Sequence, residues 1–106
     1  MSAAEAAAPV FAALADRTRL SLLMSISRGG SRSIASLSAQ TRLTRQAVAK
    51  HLRVLENAGL VRSARAGRER GYSLCEERLA APRAYLDAVS AGWDEALARL
   101  REQVEA

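Results

Sequence analysis

The run from Leu43 to Val61, LTRQAVAKHLRVLENAGLV, constrains the fold more than any other part of this chain. Val48, Leu52 and Leu55 recur at helical spacing and so share one face of an α-helix. Gln46, Ala49, Lys50 and Arg53 fall on the opposite face. Thr44 stands where an N-cap is needed, and Asn57-Ala58-Gly59 reads as a helix stop. A helix that packs with one side and offers Gln, Lys and Arg with the other suits the DNA major groove.

The elements around that helix follow from caps and periodicity. Glu5 to Leu14 is alanine-rich and reads as a first helix, with Pro9 tolerated only near its first turn. Asp16 caps a second helix, to which Leu20, Leu23, Met24 and Ile26 give a largely buried character. Arg28-Gly29-Gly30-Ser31 ends it. Ser33 caps a third helix running to about Thr41, with Ile34 and Leu37 inward. After a tight connection through Thr41-Arg42-Leu43, the capped helix above completes a helix-turn-helix over about residues 33–58.

Leu60 to Arg65 has β character, Ala66 to Gly71 is a turn, and Tyr72 to Cys75 returns as a second strand. This places a basic-tipped hairpin, or wing, at about 60–75. Helical character resumes near Glu77 and runs to about 105, with Pro82 marking a break or a fresh start. Along it Leu86, Val89, Trp93, Leu97, Leu100 and Val104 recur at alternating spacings of three and four, close to a heptad seam. The expected fold class is mainly α with a small β-hairpin, a single winged helix-turn-helix domain over 1–106.

Charge distribution points the same way. The chain carries +5 overall. Residues 42–70 hold eight basic side chains against Glu56 and Glu69, whereas residues 71–106 hold four basic against seven acidic. The positive charge thus sits on the helix-turn-helix and hairpin, as in a nucleic-acid binder. A solvated arginine-rich surface is the other reading, since the chain uses fifteen arginines and one lysine.

At this point the chain resembles the ArsR family of bacterial winged-helix repressors, over nearly its whole length. Ala15-Asp16-Arg17-Thr18-Arg19-Leu20 looks like the start of that family's second helix, and Leu43 to Leu55 like its recognition helix. Ala58-Gly59-Leu60-Val61 and Gly67-Arg68-Glu69-Arg70-Gly71-Tyr72-Ser73-Leu74 look like the lead into the wing and the wing itself. The resemblance implies a homodimer that binds an imperfect palindrome in a promoter and blocks transcription. It also implies a dimer interface built from the first and last helices, here Val10, Phe11, Leu86, Val89, Trp93, Leu97 and Leu100.

The metal-sensing property of familiar members is not implied. Their paired-cysteine helix reads here Ile34-Ala35-Ser36-Leu37-Ser38-Ala39-Gln40, and the last helix has Asp87 and Glu95 but no histidine. Zinc and soft metals need several thiolate or imidazole ligands, and the chain has one Cys and one His. No metal and no cofactor is expected. An organic effector, a partner protein or expression level alone are the remaining routes of control.

Residue roles follow from position. Thr44 caps the helix and can also reach a phosphate. Arg45 and Gln46 stand in the first turn, where Arg suits guanine and Gln suits adenine. Lys50 and Arg53 lie further along, where phosphate contact is expected. His51 is either a boundary residue packed on the hairpin or a phosphate contact. Arg65, Arg68 and Arg70 are the wing charges, the last two flanking the tip as minor-groove candidates. Cys75 reads as a small packed hydrophobe, with a redox switch as the alternative. A protein-interaction module that turns its basic face to an acidic partner is a third reading. An enzyme is not expected: the sequence has no nucleophile–base pair, metal cluster or phosphate-binding glycine loop. With one cysteine, no signal-peptide pattern and no apolar run of spanning length, a cytoplasmic location is expected.

Overall fold

Short polar side chains open four of the helices. In the computed structural model, which describes residues 2–105, Ser2, Asp16, Ser33 and Thr44 each accept the backbone N–H three residues on. These caps satisfy one orphan donor per helix. They open α1 (Ala3–Leu14), α2 (Arg17–Gly29), α3 (Ile34–Thr41) and α4 (Arg45–Asn57). The hairpin β2 (Val61–Ala66) and β3 (Glu69–Leu74) follows, then a short 3-10 turn over Glu76–Leu79 and the long α5 (Ala80–Glu105).

The end of α4 is closed by backbone alone. Gly59, at φ 79°, donates to the Glu56 carbonyl at 2.9 Å, and Leu60 donates to the Leu55 carbonyl at 3.0 Å. This is the Schellman pattern, and the accompanying apolar contact is supplied by Leu55 and Leu60, both fully buried. The chain therefore leaves the helix in a set direction, straight into the wing.

The core is one cluster. Val10 and Ala13 of α1, Leu22 and Ile26 of α2, Leu37 of α3, and Val48, Leu52 and Leu55 of α4 meet Leu60, Val61 and Tyr72 of the wing. Val48, Leu52 and Leu55 have no exposed surface, so the apolar face read from their spacing is buried throughout. The recognition helix and wing are thus bolted to the same core.

Several expectations need correcting. The sheet has three strands, in the order β1-β3-β2, because Ser31–Ser33 (β1) pairs antiparallel with β3. A three-residue polar strand carries no periodic signal of its own; it forms because β3 offers it an open edge. The hairpin is also longer than expected. Its strands pair out to Ala66 and Glu69, leaving a two-residue turn, Gly67-Arg68, with Gly67 at φ 66°.

Pro9 is the seventh residue of α1, in its interior rather than its first turn. Its ring deprives the Glu5 carbonyl of a helical partner. Both residues face outward, where solvent can take that bond. In α2 the buried pair is Leu22 and Ile26, while Leu20 and Met24 lie about half exposed on the other side. Pro82 makes no break: it is the third residue of α5, where its missing N–H costs no helical bond. Val10, expected at a dimer interface, is buried in the chain's own core, because its face of α1 packs inward with Ala7 and Ala13.

Candidate nucleic-acid interface

The turn between α3 and α4 is fastened locally. Arg42 takes the left-handed conformation, φ 62°, and donates to the Ser38 carbonyl at 3.0 Å. The Ser38 hydroxyl donates to the Leu43 carbonyl, and the Thr41 hydroxyl to the Leu37 carbonyl at 2.8 Å. Thr44 then accepts the Ala47 N–H at 3.1 Å and starts α4. Side chains on the first turn of α4 are thereby aimed by a braced turn rather than a free loop.

From that turn, Arg45, Gln46 and Ala49 form one wall of an open concavity of about 440 Å³. Ser33, Ile34 and Ala35 at the start of α3 make its floor, and Glu69 and Arg70 of the wing make the far wall. Sequence reasoning placed Arg45, Gln46, Ala49 and Arg70 here but missed Ser33, Ile34, Ala35 and Glu69. The capping role of Ser33 was legible; that its helix start faces the wing is a tertiary fact.

Arg70 is held in place. Its Nη1 donates to the Ser63 hydroxyl at 2.9 Å, and that hydroxyl donates to Glu56 Oε2 at 3.0 Å. The wing is tied in this way to the far end of α4. Arg65 lies directly across from Arg70 on the same face of the hairpin. Two like charges opposed across an antiparallel pair repel each other. Arg68 stands exposed at the tip.

Lys50 and Arg53 are exposed on the outer face of α4. Among the described residues, the ion pairs with Lys or Arg involve only Arg19 with Asp16 and Arg62 with Glu77. The cations of α4 and the wing face, namely Arg45, Lys50, Arg53, Arg65, Arg68 and Arg70, therefore make no direct ion pair among the described residues. Arg62, on the opposite face of the wing, is held above its usual pKa by the neighbouring Cys75 sulfur and then by Glu77.

His51 is half-buried beside the apolar face of α4, and its Nδ1 is enclosed without a hydrogen-bond partner. Asp16 is lowered below the usual carboxylate value, first by the N–H it accepts from Arg19 at 2.9 Å and further by the Arg19 charge.

Cys75 is buried at the end of β3, where its N–H donates to the Leu60 carbonyl at 2.8 Å. Among the described residues no three His, Cys, Asp or Glu side chains cluster as metal ligands would. After Ile34, α3 supplies only Ala, Ser, Leu, Gln and Thr side chains, a set that does not fit a soft metal. No described helix is long and apolar enough to cross a membrane.

The seam residues divide. Phe11 is half-buried against Tyr85 of α5, ring centroids 5.8 Å apart in an edge-on arrangement. Leu86, Val89, Trp93, Leu97, Leu100 and Val104 are all exposed.

Known proteins share this architecture. The model of the bacterial regulatory protein, arsR family, matches residues 16–63. The uncharacterised HTH-type transcriptional regulator YuzN of Bacillus subtilis is 42% identical over 67 residues, 58% of this chain and 73% of that protein. An ArsR-like transcriptional regulator from Rhodococcus sp. RHA1 superposes with a TM-score of 0.76 at 38% identity, covering 92% of both chains. A homodimeric winged helix-turn-helix DNA-binding domain from Mycobacterium bovis, of a possible ArsR-family regulator, superposes with a TM-score of 0.66 at 26% identity, covering 82% of this chain and 80% of that one. The fold, the order of its elements and these relatives together place the chain in the ArsR family, as a transcriptional regulator with a winged helix-turn-helix DNA-binding domain.

Proposed function

We propose that the protein is a homodimeric repressor that binds an imperfect palindrome in a promoter and does so without metal. The observation that carries this reading is the wall of α4, whose cations make no direct ion pair among the described residues, facing the wing across an open groove. In it Gln46 and Arg45 read base edges from the first turn, while Lys50, Arg53 and Thr44 hold phosphates. Arg68 and Arg70 reach the adjacent minor groove, and the opposed Arg65–Arg70 pair gains most from a polyanion that relieves its repulsion. Two subunits related by a twofold would read half-sites about one helical turn, roughly 10 bp, or a multiple apart.

The homodimer is supported by the exposed apolar stripe of α5 and by the homodimeric relative from Mycobacterium bovis. Metal independence is supported by the donor set, one buried Cys75 and one His51 in separate elements. An effector would act by favouring one dimer geometry over another.

The test is a fluorescence-anisotropy titration with the protein's own promoter fragment and a scrambled fragment, at two salt concentrations, with and without chelator. Selective, salt-sensitive binding that ignores the chelator is the expected result, with loss of run-off transcript from the same promoter. Equal binding to both fragments would overturn the reading and favour a basic surface that recognises an acidic protein. Chelator-sensitive binding would overturn metal independence alone.

A further inference from the structure

The concavity between α4 and the wing changes character with depth. Arg45 and Arg70 are exposed at its rim, whereas Ile34, Ala35 and Ala49 are half-buried within it. The surface inside is mainly apolar. Ser33, the polar side chain at the floor, accepts the Ser36 N–H at 3.1 Å and so is already engaged in capping α3. Glu69 on the far wall adds a negative charge, which disfavours a phosphate there. A site built only to hold phosphate turns hydroxyls or cations inward. Here the side chains turned inward are methyls and methylenes.

With α4 in the major groove and the wing in the minor groove beside it, one DNA strand separates the two and crosses this concavity. Its phosphates meet Arg45 and Arg70 at the rim. Inside, the lining calls for an apolar group of that strand. The C5-methyl of thymine is the apolar group that a base presents in the major groove. It lies at the outer edge of its base, next to its own backbone, and so falls where the strand crosses. Ala49, one turn beyond Arg45, is the α4 side chain inside the concavity that carries no polar atom.

The geometry points to a thymine in each half-site whose C5-methyl is seated against Ala49, in the hollow that Ile34 and Ala35 line. This rests on the DNA-binding reading above and adds to it a base read without a hydrogen bond. Gln46 stands three residues before Ala49, about 4.5 Å along the helix axis, against about 3.4 Å between base pairs. The thymine therefore stands at or next to the base pair that Gln46 reads.

The experiment replaces each thymine of one half-site in turn by deoxyuridine, in the protein's own promoter fragment, and follows binding by anisotropy. Deoxyuridine pairs as thymine does and lacks only the methyl. The base pair read by Gln46 is located by Gln46→Ala on single-base variants. One thymine at or next to it should lose about fourfold in affinity, the value of burying one methyl group, while the others lose less than about twofold. Ala49→Ser sets a hydroxyl against the methyl and should bind the thymine and deoxyuridine fragments alike, with wild-type helix content by circular dichroism. Selective binding with no deoxyuridine-sensitive position, or a fourfold effect that persists in Ala49→Ser, would overturn the methyl contact and leave the DNA-binding reading standing. Loss of all binding by a folded Ala49→Ser would overturn it too, since one methyl contact is worth only about fourfold. Equal binding of promoter and scrambled fragments would overturn the DNA-binding reading itself.

Discussion

Arg68→Ala and Gln46→Ala separate the two kinds of contact that the groove offers. Arg68 is exposed at the wing tip, next to Gly67, with no carboxylate in ion-pair range among the described residues. If it holds one phosphate per subunit, a dimer loses two counterion-releasing contacts. The slope of log affinity against log salt then flattens by about 1.8, from about 0.9 per phosphate. At 0.15 M salt that slope change corresponds to a loss of about thirtyfold, equal for operator and scrambled DNA.

Gln46 is uncharged and lines the groove from the first turn of α4. Its loss should leave the salt slope untouched and remove about 1–3 kcal/mol of discrimination at one base pair of each half-site, about five- to 150-fold. Anisotropy titrations of the two variants on operator, single-base variants and scrambled DNA at four salt concentrations supply both quantities. An unchanged slope for Arg68→Ala, or a sequence-blind loss for Gln46→Ala, would refute the assignment of wing to backbone and first turn to bases.

Other predictions concern the frame that aims these residues. Thr44→Ala removes the cap on the Ala47 N–H and should cost about 1 kcal/mol, seen as a Tm about 4–8 °C lower, while Thr44→Ser restores it. Arg42→Gly relieves the left-handed strain in the turn and should raise stability by about 0.5–1 kcal/mol in urea denaturation. Asp16 has its carboxyl lowered on folding, first by the Arg19 N–H, so its contribution is present above the ordinary carboxylate range and is lost as pH falls through the lowered value. Asp16→Asn keeps a capping acceptor and should flatten the stability profile as pH falls from the ordinary carboxylate range through the lowered value; an unchanged acid slope would remove Asp16 from the account.

Much of this molecule is legible along the chain because its signals are local. The caps Asp16, Ser33 and Thr44 act over three residues, and the α4 face that buries Val48, Leu52 and Leu55 is a matter of helical spacing. The glycine stop at Gly59 is likewise a local backbone requirement. Gln46, Lys50 and Arg53 were found opposite the apolar face for the same reason.

What needed the tertiary structure is everything in which a residue's neighbour comes from another element. Ser31–Ser33 is a strand only because β3 has an edge to fill. Val10 is core, and Leu20 and Met24 are surface, because packing against α4 and the wing decides which face of an amphipathic helix turns inward. Arg70 is braced through Ser63 to Glu56, across a distance in sequence that no periodicity encodes. Periodicity fixes which residues share a face, whereas the partner of that face is chosen by the free energy of burying it, a property of the assembled core rather than of any one segment.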